Sequence, residues 1–72
     1  HQNLKVYSSQ NGLIIEFYGY SQAVSIYDLT GKEVYQQTVK FDHSIAEIEP
    51  ALDKEKVYIL TIGDQKVKFI LR

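Results

Sequence analysis

Apolar and polar residues alternate along most of this chain with a period of two, the spacing of half-buried strands. Turn chemistry interrupts the alternation every eight to twelve residues or so, roughly the spacing of an all-β sandwich or barrel. Leu4-Lys5-Val6-Tyr7 predicts an opening strand and Leu13 to Tyr18 a second, whose Leu13-Ile14-Ile15 run implies burial on both faces near its start. Between them Asn11-Gly12 predicts a type I′ hairpin turn, which needs positive φ at both central residues. Ala23 to Asp28 reads as a third strand, with Val24 and Ile26 on one face. Asp28-Leu29-Thr30-Gly31-Lys32 then reads as a tight connection, with Asp28 accepting backbone hydrogen bonds and Gly31 left-handed. Glu33 to Val39 is a fourth strand, placed at an edge or in solvent by its polar centre Gln36-Gln37-Thr38. His43 to Ile48 is a weaker fifth strand, broken by Pro50, after which a single helical turn is expected to point Leu52 into the core. Val57 to Ile62 is apolar enough to be a central strand. Gly63-Asp64 turns the chain into Gln65 to Leu71, where Val67, Phe69 and Leu71 share one face and Lys66 and Lys68 the other.

No stretch keeps the three-and-four spacing of an amphipathic helix. The expected fold is therefore all-β: a small antiparallel, immunoglobulin-like β-sandwich of about seven short strands, with an open or partly closed barrel as the runner-up. With 72 residues there is room for one domain, residues 1–72, and only a thin core. Such a core is commoner in a module cut from a longer protein, which is the expectation here. The absence of cysteine excludes disulfide staples and thiolate metal sites. A net charge of −1 argues against a nucleic-acid partner, and no apolar run is long enough for a transmembrane segment.

Catalysis requires converging acid, base and nucleophile, and the sequence supplies little toward it. The histidines are His1, which is terminal, and His43, which follows Asp42 in an expected turn. His43 reads as a solvated turn residue, so no catalytic residue is assigned. Glu47 and Glu49 share a strand face, but calcium needs several further oxygens, so they read as an acidic edge that discourages strand pairing; no metal or cofactor is expected. The four glycines stand singly at turns and form no phosphate cradle. Six tyrosines are the compositional excess. Most read as half-buried strand residues. Tyr18 and Tyr20, perched on either side of Gly19, are the candidate glycan platform, with Tyr35 as a further member.

The stretch Ala23-Val24-Ser25-Ile26-Tyr27-Asp28-Leu29-Thr30-Gly31-Lys32-Glu33-Val34 resembles the central signature of the C-terminal sorting domains of the Bacteroidetes type IX secretion system. The tail is similar too: Leu52, Val57-Tyr58-Ile59-Leu60, a Gly-Asp turn, then Lys66-Val67-Lys68-Phe69-Ile70-Leu71-Arg72. Two positions depart from the pattern. Ser8-Ser9-Gln10-Asn11-Gly12 stands where the family carries a Pro-Asn-Pro-like segment, and Lys56 where it carries glycine. A shorter relative pattern at the C-termini of Bacteroidetes envelope proteins opens with such a hairpin and resembles this chain more closely.

The resemblance implies a non-catalytic sorting or anchoring domain at the C-terminus of a secreted or cell-surface protein, crossing the periplasm in transit and read by the outer-membrane translocon. Its motif residues would be Tyr27, Asp28, Leu29, Gly31, Lys32, Val57 and Tyr58. The final strand, Lys66, Val67, Lys68, Phe69, Ile70, Leu71 and Arg72, is the expected recognition edge, since a partner can extend an accessible strand. The alternative is a structural cap on a preceding domain of the same chain, or a carbohydrate-binding accessory module.

Overall fold

The computed structural model describes residues 3–10 and 12–71; His1, Gln2, Asn11 and Arg72 lie outside the described residues. Seven strands follow in order: β1 (Leu4–Ser8), β2 (Leu13–Phe17), β3 (Ala23–Tyr27), β4 (Glu33–Thr38), β5 (Ile45–Ile48), β6 (Val57–Ile62) and β7 (Gln65–Ile70). They form two antiparallel sheets, β1-β2-β5 and β4-β3-β6-β7. Hairpins join β1 to β2, β3 to β4 and β6 to β7, while the other three connections cross between sheets. This is the Greek-key connectivity of a small immunoglobulin-like sandwich. Strands β1 and β7 lie side by side at neighbouring sheet edges without pairing, so the structure is a sandwich and not a closed barrel.

The two-residue period sorts side chains as the sequence predicts. Leu4, Leu13, Ile15, Phe17, Ala46 and Ile48 of the three-stranded sheet face Val24, Ile26, Tyr58, Leu60, Ile62 and Phe69 of the four-stranded one, and all are buried. No polar or charged residue is buried among the described residues. Strand β6 sits between β3 and β7, as its apolar run implies. Strand β4 is an exposed edge with a bulge where Tyr27 pairs Glu33 and Ile26 pairs Tyr35, leaving Val34 as the extra residue. Ile14, expected to be buried on the second face, is only half-buried.

One local expectation lies partly outside the described residues, and two are corrected. Of the expected Asn11-Gly12 turn, Asn11 lies outside the described residues. Ser9 N–H donates to the Gly12 carbonyl at 2.8 Å, continuing the register in which Ser8 pairs Leu13. Glycine is required there for a non-local reason: a Cβ would meet the Ile48 carbonyl oxygen at 2.1 Å. The fifth strand starts at Ile45, not His43. His43 and Ser44 take φ of 53° and 69°, and Asp42 and Ile45 exchange backbone hydrogen bonds of 2.9 and 3.0 Å across them. That is the paired positive φ of a type I′ turn, formed without glycine. The segment after Pro50 makes no helical turn. Leu52 N–H instead reaches back two residues to the Pro50 carbonyl at 3.0 Å, and Leu52 packs against the core as expected.

Gly12→Ala is expected to destabilise the fold by more than about 2 kcal/mol, because the obstruction is backbone and cannot rotate away. Gly31→Ala, at φ 90° with nothing within 4 Å, should cost only the left-handed penalty of about 1 kcal/mol. Urea unfolding of both variants checks the order.

Candidate functional site

Residues 27–32 and 57–58 are distant in sequence, but the pairing of β3 with β6 brings them to one end of the four-stranded sheet. Tyr27 ends β3 opposite Glu33 on one side and Ile59 on the other. Beyond it the Asp28 carboxylate oxygen Oδ1 accepts from Thr30 N–H at 2.9 Å, from the Thr30 hydroxyl, and from Lys32 N–H at 3.1 Å. Asp28 N–H donates to the Lys32 carbonyl at 3.0 Å and Gly31 N–H to the Asp28 carbonyl at 3.1 Å. With Gly31 left-handed, this is the three-residue hairpin loop that the sequence indicates. The Thr30 hydroxyl, helped by the two amides and the Lys32 charge, holds the Asp28 carboxyl below its ordinary value. The carboxylate is thus committed to shaping the turn. Leu29 is left at the tip, 64% exposed.

Beside this loop lies the crossover into β6. Tyr58 is buried against Phe69, ring centroids 5.9 Å apart, and its hydroxyl oxygen accepts Asp53 N–H at 3.1 Å. A tyrosine at the start of a strand, bonded to backbone a few residues upstream, is the tyrosine corner that fixes Greek-key crossovers. Lys56 Nζ sits 3.2 Å from Asp53 Oδ2, which raises the Lys56 pKa. Between loop and crossover is a surface depression of about 340 Å³ lined by Asp28, Leu29, Val34, Lys56, Val57 and Tyr58 among others. Its chemistry is apolar contact area bounded by one ion pair and a fixed turn.

The expected recognition edge maps onto β7, which is an edge strand. Phe69 and Leu71 are buried and Val67 half-buried, so these three belong to the core; Lys66, Lys68 and Ile70 face outward. The outer side of β7 faces β1, and Ser8 Oγ donates to the Ile70 carbonyl at 3.3 Å. Arg72 lies outside the described residues.

The tyrosines expected for a glycan platform fall on both sheets. Both Tyr18 and Tyr20 turn outward, Tyr20 being 102% exposed. Tyr18 is tied not to Tyr20 but to Glu16, whose other oxygen receives Tyr7. The Glu16 bond raises the Tyr18 pKa. Tyr35 is half-buried against the core on the other sheet, and burial raises its phenol. The β1–β2 register carried the signal for the Tyr7–Glu16 approach, since it sets Tyr7 opposite Ile14 and next to Glu16 on one face.

His43 Nδ1 lies 2.9 Å from Asp42 Oδ1 on a fully exposed turn. Glu47 accepts Ser9 Oγ at 3.0 Å. Among the described residues no three His, Cys, Asp or Glu side chains gather as metal ligands. No helix is long and apolar enough to cross a membrane.

Compared with known proteins, the chain matches no family model, and no curated protein or solved structure aligns with it significantly. The resemblance to sorting domains rests on the quoted residues.

Two outcomes follow from the turn and the corner. Tyr58→Phe is expected to cost about 1 kcal/mol, the net worth of one hydrogen bond, and hydrogen exchange should quicken at the Asp53 amide. Because the folded Asp28 carboxyl lies below its ordinary 3.8, its contribution is present above that pH and is lost as pH falls through the lowered value. Thermal unfolding from neutral to strongly acid pH should therefore show a smaller acid decline in Asp28→Asn than in the parent.

Proposed function

We propose that this domain is a non-catalytic C-terminal sorting or anchoring signal of a secreted or cell-surface protein, read by a type IX outer-membrane translocon. The observation that supports this reading is the convergence of the two signature segments. Tyr27 to Lys32 and Val57-Tyr58 share one end of one sheet, and there a rigid Asp28-anchored turn holds Leu29 out to solvent beside a shallow apolar depression. A recognition signal needs such a preformed apolar anchor more than it needs reactive groups, because a fixed loop loses little entropy when a partner covers it. Lys66 and Lys68 lie on the outer face of the same sheet and add a cationic margin. Val34 and Ile70 are also partly exposed, so this surface equally suits a neighbouring domain of the same chain, which is the structural-cap reading.

The test is to fuse residues 1–72 to the C-terminus of an inert, periplasm-directed cargo in a bacterium with the type IX system. Cargo should reach the cell surface or medium. Leu29→Asp, which leaves the turn bonds intact, should lower export by about tenfold or more, as loss of a central apolar anchor does. Cargo that stays periplasmic while the fused domain is folded would rule out the export signal. In that case a proteolysis-resistant contact with the natural upstream domain, weakened by Leu29→Asp, would favour the cap.

A further inference from the structure

The outer face of the three-stranded sheet carries an arrangement that neither the turn signature nor the core explains. Glu16 Oε2 accepts the Tyr18 hydroxyl at 2.5 Å, and Glu16 Oε1 accepts the Tyr7 hydroxyl at 3.5 Å, the outer limit of a hydrogen bond. Two phenol rings thus flank one carboxylate. Both are accessible, Tyr7 at 47% and Tyr18 at 60%, and half-buried Ile14 lies opposite Tyr7 in the ladder. Each ring offers an apolar face and each Glu16 oxygen keeps a lone pair free of its tyrosine. The same face pairs Lys5 with Glu16 and sets Glu47 opposite Ile14, so among the described residues it carries two carboxylates to one ammonium.

We propose that this Tyr7–Glu16–Tyr18 face is a saccharide-binding site for neutral pyranoside chains. The C–H faces of successive sugar rings stack on the phenols, and ring hydroxyls donate to the Glu16 carboxylate in charge-assisted bonds. Tethering both tyrosines to one carboxylate reduces the rotamer freedom that binding must remove. The acidic balance of the face opposes polyanions, which selects uncharged glycans. The site lies on the sheet opposite the turn signature and does not depend on export.

The test titrates the ¹⁵N-labelled chain with cellohexaose, xylohexaose and mannohexaose, and with a polygalacturonate oligomer as the anionic comparison. At least one neutral oligosaccharide should give saturable amide shifts confined to Tyr7, Ile14, Glu16, Tyr18 and their neighbours. Tyr7→Ala and Tyr18→Ala should each weaken binding by about tenfold, the worth of one stacked ring. Glu16→Gln, nearly isosteric and at a surface position, should also weaken it while leaving the rest of the spectrum in place. Tyr20→Ser should change nothing. Absence of shifts with every neutral oligosaccharide at millimolar concentration would overturn the proposal. So would shifts caused only by the anionic oligomer, or binding that survives the Tyr7→Ala, Tyr18→Ala double variant. No export machinery enters the readout, so its failure is separate from failure of the sorting reading.

Discussion

Three crossovers must carry the chain from one sheet to the other around the rim of the sandwich, and a peptide group stranded there without a partner would cost about as much as one hydrogen bond saves. Each crossover in this domain is closed by particular bonds. Tyr18 N–H donates to the Asn3 carbonyl where the chain leaves β2. Val39 N–H donates to Gln22, Asp42 and Ile45 pair across His43-Ser44, and Phe17 N–H takes the Ser44 carbonyl on the way into β5. The longest crossover, into β6, uses Asp53 N–H to Tyr58 and Glu55 N–H to the Leu71 carbonyl, while Leu52 fills the gap beneath. Without disulfides, the packing of the inward apolar rows holds the two sheets face to face, and these closures satisfy the backbone where the chain passes around the rim.

The parts of the fold legible in sequence are those set by near neighbours. The alternations of β2, β6 and β7 follow from the period of two, and the loops Asp28 to Lys32 and Gly63-Asp64 follow from residues that bond or bend within the loop itself. What sequence hides is what distance along the chain creates. Gly12 looks like half of an Asn-Gly turn, yet its lack of a side chain serves the Ile48 carbonyl of another strand. His43-Ser44 forms the type I′ turn that Asn11-Gly12 advertises, because Ile45 is paired with Glu16 of β2 and Asp42 bonds back to Ile45 across the two positive-φ residues. The site divides along the same line. The turn that presents Leu29 is readable from Asp28 and Gly31, whereas the exchange of Tyr20 for Tyr7 as the neighbour of Tyr18 depends on which strand β2 pairs with.

The signature residues are mostly occupied in folding. Asp28 bonds its own loop, Gly31 supplies the left-handed step, and Tyr58 closes a crossover. Their joint presence is what any Greek-key sandwich of this size would favour, so they carry architecture first. Recognition, in either proposed form, must use side chains that architecture leaves over. On the four-stranded sheet these are Leu29, Val34, Lys66 and Lys68; on the three-stranded sheet they are Tyr7, Glu16 and Tyr18.

The two outer faces also differ in charge, and the difference follows from topology. Strand β7 brings Lys66 and Lys68 to one face, against Glu33 of β4, whereas β2 and β5 bring Glu16 and Glu47 to the other, with Lys5 the single opposing charge in their rows among the described residues. A sandwich about two sheets thick keeps these faces apart, and charges beyond a Debye length of roughly 8–10 Å are screened from each other in physiological salt. The lysines of the four-stranded side are therefore screened from the acids behind them. The neutral, hydroxyl-rich ligand proposed for the three-stranded side would meet the accepting Glu16 carboxylate there, with Lys5 the one lysine opposite it. Under the two proposals, one small domain would engage a partner and a glycan on separate surfaces, because the apolar core that separates them is the same core that makes the fold.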